Sequence, residues 1–303
     1  MKIFANSEAG NSADFSQELT DYAAGYKVPN VEDALEFIAP SVAVQSKRFE
    51  YAKFGDGAMY VDVDDERAPF GTFKTVQDSG EIVSAKLVSR GYTVVIDEDE
   101  FSANYRNRAV ETLKRRLLRN ELYRAASLLT RVATSSAKKW IASGEGKSTP
   151  DGDLQNLIAS VADAGGVHAN RILFGETAWA YRYASMIAST AVGEGASARL
   201  TPEQLAQMLA IDEIKISKDR YLMQDAEGKK YKNILGANQV FAFNGLKGAS
   251  IDDISTFKRF YLGEGFKVFV EQKAGCEHIT VSHKTLLAQT GVGGAKALTI
   301  SKS

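Results

Sequence analysis

The sequence predicts an α+β protein, and three observations predict it. A stretch free of Gly and Pro, rich in strong helix formers, runs from Tyr105 to Lys139. Alternating apolar and polar residues mark strands within 42–95 and again after 256, while 151–245 mixes helical and strand patterns. The chain has 303 residues, 44% hydrophobic and 25% charged, enough for one large or two smaller cores. A net charge of −1 argues against wholesale nucleic-acid binding, so any such contact has to be local. The single cysteine, Cys276, excludes an internal disulfide framework and a Cys-based zinc site. The start, MKIFANSEAGNSADF, has no apolar h-region, and no run of about 18 apolar residues occurs anywhere. The expectation is a cytosolic chain, neither exported by the usual route nor spanning a membrane.

Residues 1–40 carry seven Asp and Glu against two Lys and lack a hydrophobic period at the start. They read as an acidic arm that orders against something else. Within it, Val31-Glu-Asp-Ala-Leu-Glu-Phe-Ile38 is a short amphipathic piece ending before Pro40. From 42 to 95, Phe49 and Tyr51, Val61 and Val63, then Tyr92, Val94 and Ile96 keep period two, broken only by Val95. Gly55-Asp56-Gly57 signals a tight turn, and DDERAPFGTF (64–73) forms a charged tip bearing aromatics. Such a hairpin owns no core and must lie on another surface, its own chain's or a neighbour's.

Asp97-Glu-Asp-Glu100 lacks the Gly of a calcium loop and reads as a solvated turn at the positive end of the following helix. That helix, 105–139, gathers Val110, Leu113, Leu117, Leu118, Ala125, Leu128, Leu129 and Val132 on one side. Arg108, Arg115, Arg116 and Arg119 lie opposite, and the stretch holds ten Lys and Arg against two Glu. Lys114 and Glu121 fall inside the apolar stripe, so each must snorkel or find a partner. The basic side is either a solvated face or one that looks at something anionic.

Gly144-Glu-Gly-Lys-Ser-Thr149 resembles part of a phosphate loop, but Ile141 stands where the first Gly belongs, and a helix is expected before it. It reads as a flexible connection after a C-terminal Gly144. Asp153 is placed as the cap of a helix with Leu154, Leu157, Ile158 and Val161 that stops at Gly165-Gly166. Strand 171–174, helix 177–187, a mobile loop 193–199, a capping-box helix from Thr201-Pro-Glu-Gln204 and strands 213–217 and 238–243 follow. Antiparallel strands 256–262, 266–272 and 278–283 are joined at Gly263–Gly265 and Ala274-Gly275, and 291–303 is a tail or edge.

No catalytic constellation emerges, so no enzyme, cofactor or metal is expected. His278 and His283, five apart on a strand, point to opposite faces, and His168 sits by a Gly-Gly turn. Cys276 and His278 share a face, which leaves a Cys–His nucleophile as the one conceivable chemistry beside an ordinary edge thiol.

The hairpin at 45–92, the helix at 105–139 and the pair LTPEQLAQMLAIDEIKIS (200–217) and NILGANQVFAFN (233–244) together resemble the major capsid proteins of tailed bacteriophages. The resemblance implies a Hong Kong 97-like capsid fold with N-terminal arm, extended β-hairpin loop, long spine helix and α/β axial domain. By that likeness, 1–41 is the arm, 42–95 the extended loop, 96–148 with 250–292 the peripheral domain, 149–249 the axial domain and 293–303 a tail. It implies self-assembly through hexamers and pentamers into an icosahedral phage head around double-stranded DNA. A separate scaffolding protein and a portal are the implied partners, first in the host cytoplasm and then in the virion. Phe70 and Phe73 are the candidate subunit anchors, with Asp65 and Arg67 as rim charges. The arginine face, Arg108 to Arg119, either meets packaged DNA through phosphates or pairs with the acidic arm or a neighbour. An encapsulin-like nanocompartment with enzyme cargo and a stand-alone, thiol-dependent α+β enzyme are the rival readings.

Overall fold

The computed structural model describes residues 14–54, 67, 71–72, 81–141, 149–188, 194–225, 228–291 and 293–302. In chain order come β1 (Asp14–Phe15), α1 (Gln17–Gly25), α2 (Pro29–Ile38), β2 (Ser41–Val44), β3 (Arg48–Lys53), β4 (Glu81–Lys86) and β5 (Val88–Asp97). After a 3-10 turn at Glu98–Glu100 follow α3 (Tyr105–Val132), β6 (Thr134–Lys139), α4 (Pro150–Gly165), β7 (Arg171–Gly175), α5 (Glu176–Ala188), α6 (Glu194–Ala198) and α7 (Pro202–Met208). The chain closes with β8 (Glu213–Ser217), β9 (Arg220–Asp225), β10 (Gly228–Asn233), β11 (Gln239–Phe243), β12 (Phe257–Lys273), β13 (Cys276–Gln289) and β14 (Ala295–Ser301).

Two five-stranded sheets share the long helix α3 as a common wall. The first runs β1-β12-β13-β5, with β2 parallel to β12. The second runs β6-β14-β11-β7-β8. The amphipathic stripe explains the sharing, because its two halves bury against different sheets. Val110, Leu113 and Leu117 pack with Leu19 of α1 and with Val268, Ile279 and Val281 of the first sheet. Leu118, Leu122, Ala125 and Leu129 pack with α2 and with Leu173, Phe241 and Phe243 of the second. Strand alternation then sends Ile172, Phe174, Val240 and Ala242 to the other face, where α4, α5 and α7 cover them. Among the described residues β3 and β4 pair only with each other, and their root packs Phe49 and Tyr51 on Phe260.

The two charges inside the stripe both find partners. Lys114 donates to the carbonyls of Ala23, at 2.8 Å, and Tyr26, and lies 3.5 Å from Glu32. Burial pushes its ammonium pKa down, and Glu32 opposes that shift. The lysine thus clasps the end of α1 to the spine. Replacing Lys114 with Met keeps the volume but strands two carbonyls, and about 1–3 kcal/mol should be lost. An unchanged urea midpoint for Lys114→Met would show that the clasp contributes nothing. Glu121 is fully buried and meets Arg259 at 2.9 Å.

Several expectations need correction. The helix does not reach Lys139: Ala133 is extended and Thr134–Lys139 is strand β6, paired in parallel with β14. The polar TSSAKK carries no apolar stripe, so its backbone bonds go to a neighbouring strand instead. A strand rather than a helix therefore precedes the phosphate-loop-like stretch and α4 follows it, with Ile141 still in place of the first Gly. Residues 142–148, Gly144 among them, lie outside the described residues. Asp153 is not the cap of α4, which starts at Pro150; it accepts from Trp140 Nε1 and pairs with Lys138, each at 2.9 Å.

The acidic opening is not wholly dependent on other molecules, since α1 and α2 bury Leu19, Ala23, Val31, Leu35, Phe37 and Ile38 on their own chain. Residues 194–198, placed in a mobile loop, form α6, where Ser197 and Asp151 hold the buried Arg182. Gly263–Gly265 is no turn but an irregularity within one long strand, β12, while Ala274-Gly275 does turn, both with positive φ. Residues 295–301, expected in a tail or edge, are the inner strand β14 between β6 and β11. The β9–β10 hairpin has no counterpart among the expectations.

Other details follow the sequence closely. Thr201 and Gln204 form the reciprocal capping box, and Gly166 ends α4 at φ 67. His283 is buried while His278 faces outward, as their spacing requires. No described helix is long and apolar enough to cross a membrane.

Candidate docking groove on the basic face of the spine

The outer side of α3 is built as its periodicity dictates: Arg108, Arg115, Arg116 and Arg119 are all exposed. Three of the four converge. Arg115, Arg116 and Arg119 line a cavity of about 840 Å³ with Thr112, Asn120 and Tyr123 of the same helix. β5 closes one wall with Tyr92, and β9 closes the other with Tyr221, Leu222 and Met223. Arg108 lies one to two turns nearer the helix start and does not line it.

The walls are fixed by specific contacts. Asn120 Nδ2 donates to the Tyr92 hydroxyl at 2.7 Å, and the Arg116 guanidinium lies 5.8 Å from the Tyr92 ring centre. Tyr123 and Tyr221 meet edge to face at 4.9 Å, tying the β9–β10 hairpin to the spine. Arg115 donates to the Tyr26 hydroxyl at 2.7 Å. Among the described residues no carboxylate lines the groove. Two carboxylates act on its arginines from outside the lining: Glu111 on Arg115, and Asp219, whose carboxyl burial pushes up while Arg119 opposes. β10 adds the exposed Lys229, Lys230 and Lys232 behind the wall, so the local field is strongly positive.

A second cavity, about 590 Å³, opens between α2, α3 and β8 over Phe37, Ile38, Leu122 and Leu173. Its rim mixes Asp33 and Glu203 with Lys215 and Lys218, so it has no dominant charge.

The candidate chemistry at Cys276 finds no support. The thiol lies 3.7 Å from Asp97, and partial burial together with that carboxylate pushes its pKa up, away from a reactive thiolate. Of the proposed anchors, Asp65, Phe70 and Phe73 lie outside the described residues. Arg67 is described and donates to the Gly71 carbonyl at 3.4 Å. The arginines were legible as a set, but Tyr92 and the Tyr221–Met223 segment were not linked to them. Only the Arg-rich spacing carried a signal.

No protein-family model matches the chain, and a search of curated proteins finds no match. Solved structures do share its fold. A phage-related protein from Bordetella bronchiseptica RB50 superposes with a TM-score of 0.71 at 14% identity, covering 95% of this chain and 97% of that one. The capsid of a native GTA particle matches with a TM-score of 0.56 at 11% identity, over 91% and 92%. The capsid of cyanophage P-SCSP1u matches with a TM-score of 0.53 at 11% identity, over 88% of both. Over about nine-tenths of its length the chain has the α+β fold of tailed-phage major capsid proteins.

Proposed function

We propose that this chain is a major capsid protein that assembles through hexamers and pentamers into an icosahedral shell around double-stranded DNA. The observation that carries the reading is the fold match to phage capsid subunits over about nine-tenths of the chain. Its own surface supports it. Among the described residues the β3–β4 ribbon joins no larger sheet, and Ile82 is 70% exposed on it. Val95 on β5 is 53% exposed. Copies of the chain can bury such patches, at interfaces on the order of 1,200–2,000 Å² each.

In this reading the ribbon within 42–95 is the extended loop, and Phe70 and Phe73 anchor it on a neighbour, rimmed by Asp65 and Arg67. Residues 96–148 with 250–292 serve as the peripheral domain and 149–249 as the axial one, with β6 and β14 added to the axial sheet. The role is structural rather than enzymatic. A scaffolding protein and a portal are the partners such a shell calls for, and the virion is its final location.

Size-exclusion chromatography with negative-stain microscopy tests the proposal: megadalton rings or shells are expected. A strictly monomeric chain at high concentration would overturn it, and particles filled with an enzyme instead of DNA would favour a nanocompartment. The face bearing Arg108, Arg115, Arg116 and Arg119 turns either to the enclosed DNA, held through phosphates without sequence preference, or to an acidic surface of the arm or of a neighbour. Reversing two charges, Arg115→Glu with Arg119→Glu, should cut the DNA content of particles several-fold while particle number changes little. Equal DNA content in variant and parent particles would remove the DNA-facing alternative.

A further inference from the structure

Phosphate contact accounts for the arginines of the groove but not for its other wall. Leu222 is 49% exposed and Met223 38%, beside Tyr123 at 42%. A strand carrying two adjacent exposed apolar residues gains nothing from a phosphate backbone, whose contacts come from Arg, Lys and small polar side chains. The groove's composition is instead that of a protein-interface centre. Such centres are enriched in Tyr, Met and Arg and depleted in Lys, Glu, Asp, Ser and Ala. Among its described residues the lining holds three Tyr, three Arg, Met223 and Leu222, and none of the depleted types.

We infer that this groove docks an acidic segment of a separate protein, one that also carries bulky apolar side chains. The charge complement is direct: Arg115, Arg116 and Arg119 offer planar donors for carboxylates, and among the described lining residues no carboxylate competes. Arg115 and Arg119 stand one helical turn apart, about 6 Å along the axis. That spacing receives carboxylates four residues apart on an amphipathic helix, whose apolar side then rests on Met223 and the Tyr123–Tyr221 pair, with Leu222 at the edge. Methionine suits such a wall because its flexible thioether repacks around different side chains. The acidic stretches described in this chain do not qualify as occupants. α1 and α2 spend their apolar faces in the chain's own core, and Glu98–Glu100 carries no apolar anchor. The inference does not depend on shell formation, since a single subunit presents the whole groove.

The test uses the full chain and three labelled probes of about twelve residues or nucleotides, long enough for roughly three helical turns. These are an amphipathic peptide of glutamate and leucine, a polyglutamate of equal length and an oligothymidylate. Fluorescence anisotropy at moderate salt should show the glutamate–leucine peptide binding at least tenfold more tightly than either of the others. Leu222→Ser with Met223→Ser should remove that advantage, and Arg115→Ala with Arg119→Ala should weaken all three probes. These side chains are exposed, so thermal unfolding monitors that the variants remain folded. Three outcomes overturn the inference. The first is oligothymidylate binding as tightly as the peptide, which marks the groove as a nucleic-acid surface; the second is unchanged peptide binding by the Leu222/Met223 variant; the third is a change in self-association alone for that variant, which marks a contact between copies.

Discussion

Replacing Arg259 with leucine should lower the unfolding free energy by about 3–5 kcal/mol, because it leaves Glu121 charged, buried and alone. Glu121 is fully buried in the apolar stripe of α3, and Arg259 reaches it from β12 at 2.9 Å. Burial pushes the Glu121 carboxyl up, and the Arg259 guanidinium overrides that effect, leaving it below the usual carboxylate value. Urea unfolding at pH 7 measures the loss. Replacing both residues with leucine should cost less than the single change, because an apolar pair leaves no orphaned charge. A double variant at least as unstable as Arg259→Leu would disprove this account.

The same cluster sets a pH dependence. His283 stacks on Phe266 at 4.8 Å and lies 3.9 Å from Glu121, with Arg259, Arg124 and Arg90 also acting on it. Burial first, and these cations next, lower its pKa to about 4 from 6.5, although Glu121 opposes them. The unfolded chain therefore takes up a proton below pH 6.5 that the folded chain refuses until about 4. Stability should fall as pH drops through that window, and protonation of Glu121 should extend the loss at its acid end. The His283→Leu variant should show a shallower fall between pH 6.5 and 4. An identical slope would show that His283 is not the titrating group.

The other large effect is on assembly. Changing Phe70 and Phe73 to aspartate should abolish particles while leaving a folded subunit. A carboxylate forced into an interface without a partner costs several kcal/mol, and a shell repeats that cost at each copy. The subunit should survive because the ribbon is secured elsewhere, by Phe49 and Tyr51 on Phe260. Circular dichroism of the subunit and particle counts by negative stain read the two effects separately. Normal particle yield with both substitutions would show that the tip is no anchor.

The elements whose signals are local were legible without coordinates. The start of the spine, its buried and exposed sides, the Thr201–Gln204 capping box, the Gly166 stop and the short strands 171–175, 213–217 and 239–243 all follow from periodicity and end chemistry within a few residues. The arginine set of the groove was legible for the same reason. Its opposite wall was not, because Tyr92 and Met223 reach α3 from strands far away in the chain.

By itself, then, the amino-acid order determined the elements with strong local signals, above all the spine from Tyr105 to Val132, and which of their sides are greasy or charged. Only the tertiary structure decided the partners. It turned TSSAKK into strand β6 and moved the closing segment to the middle of a sheet. It merged two strands into β12 across Gly263–Gly265, and it seated α1 and α2 on the spine. The physical reason is that a helix satisfies its backbone within one turn. A strand must find its hydrogen bonds on another strand, and nothing in its own residues says which one.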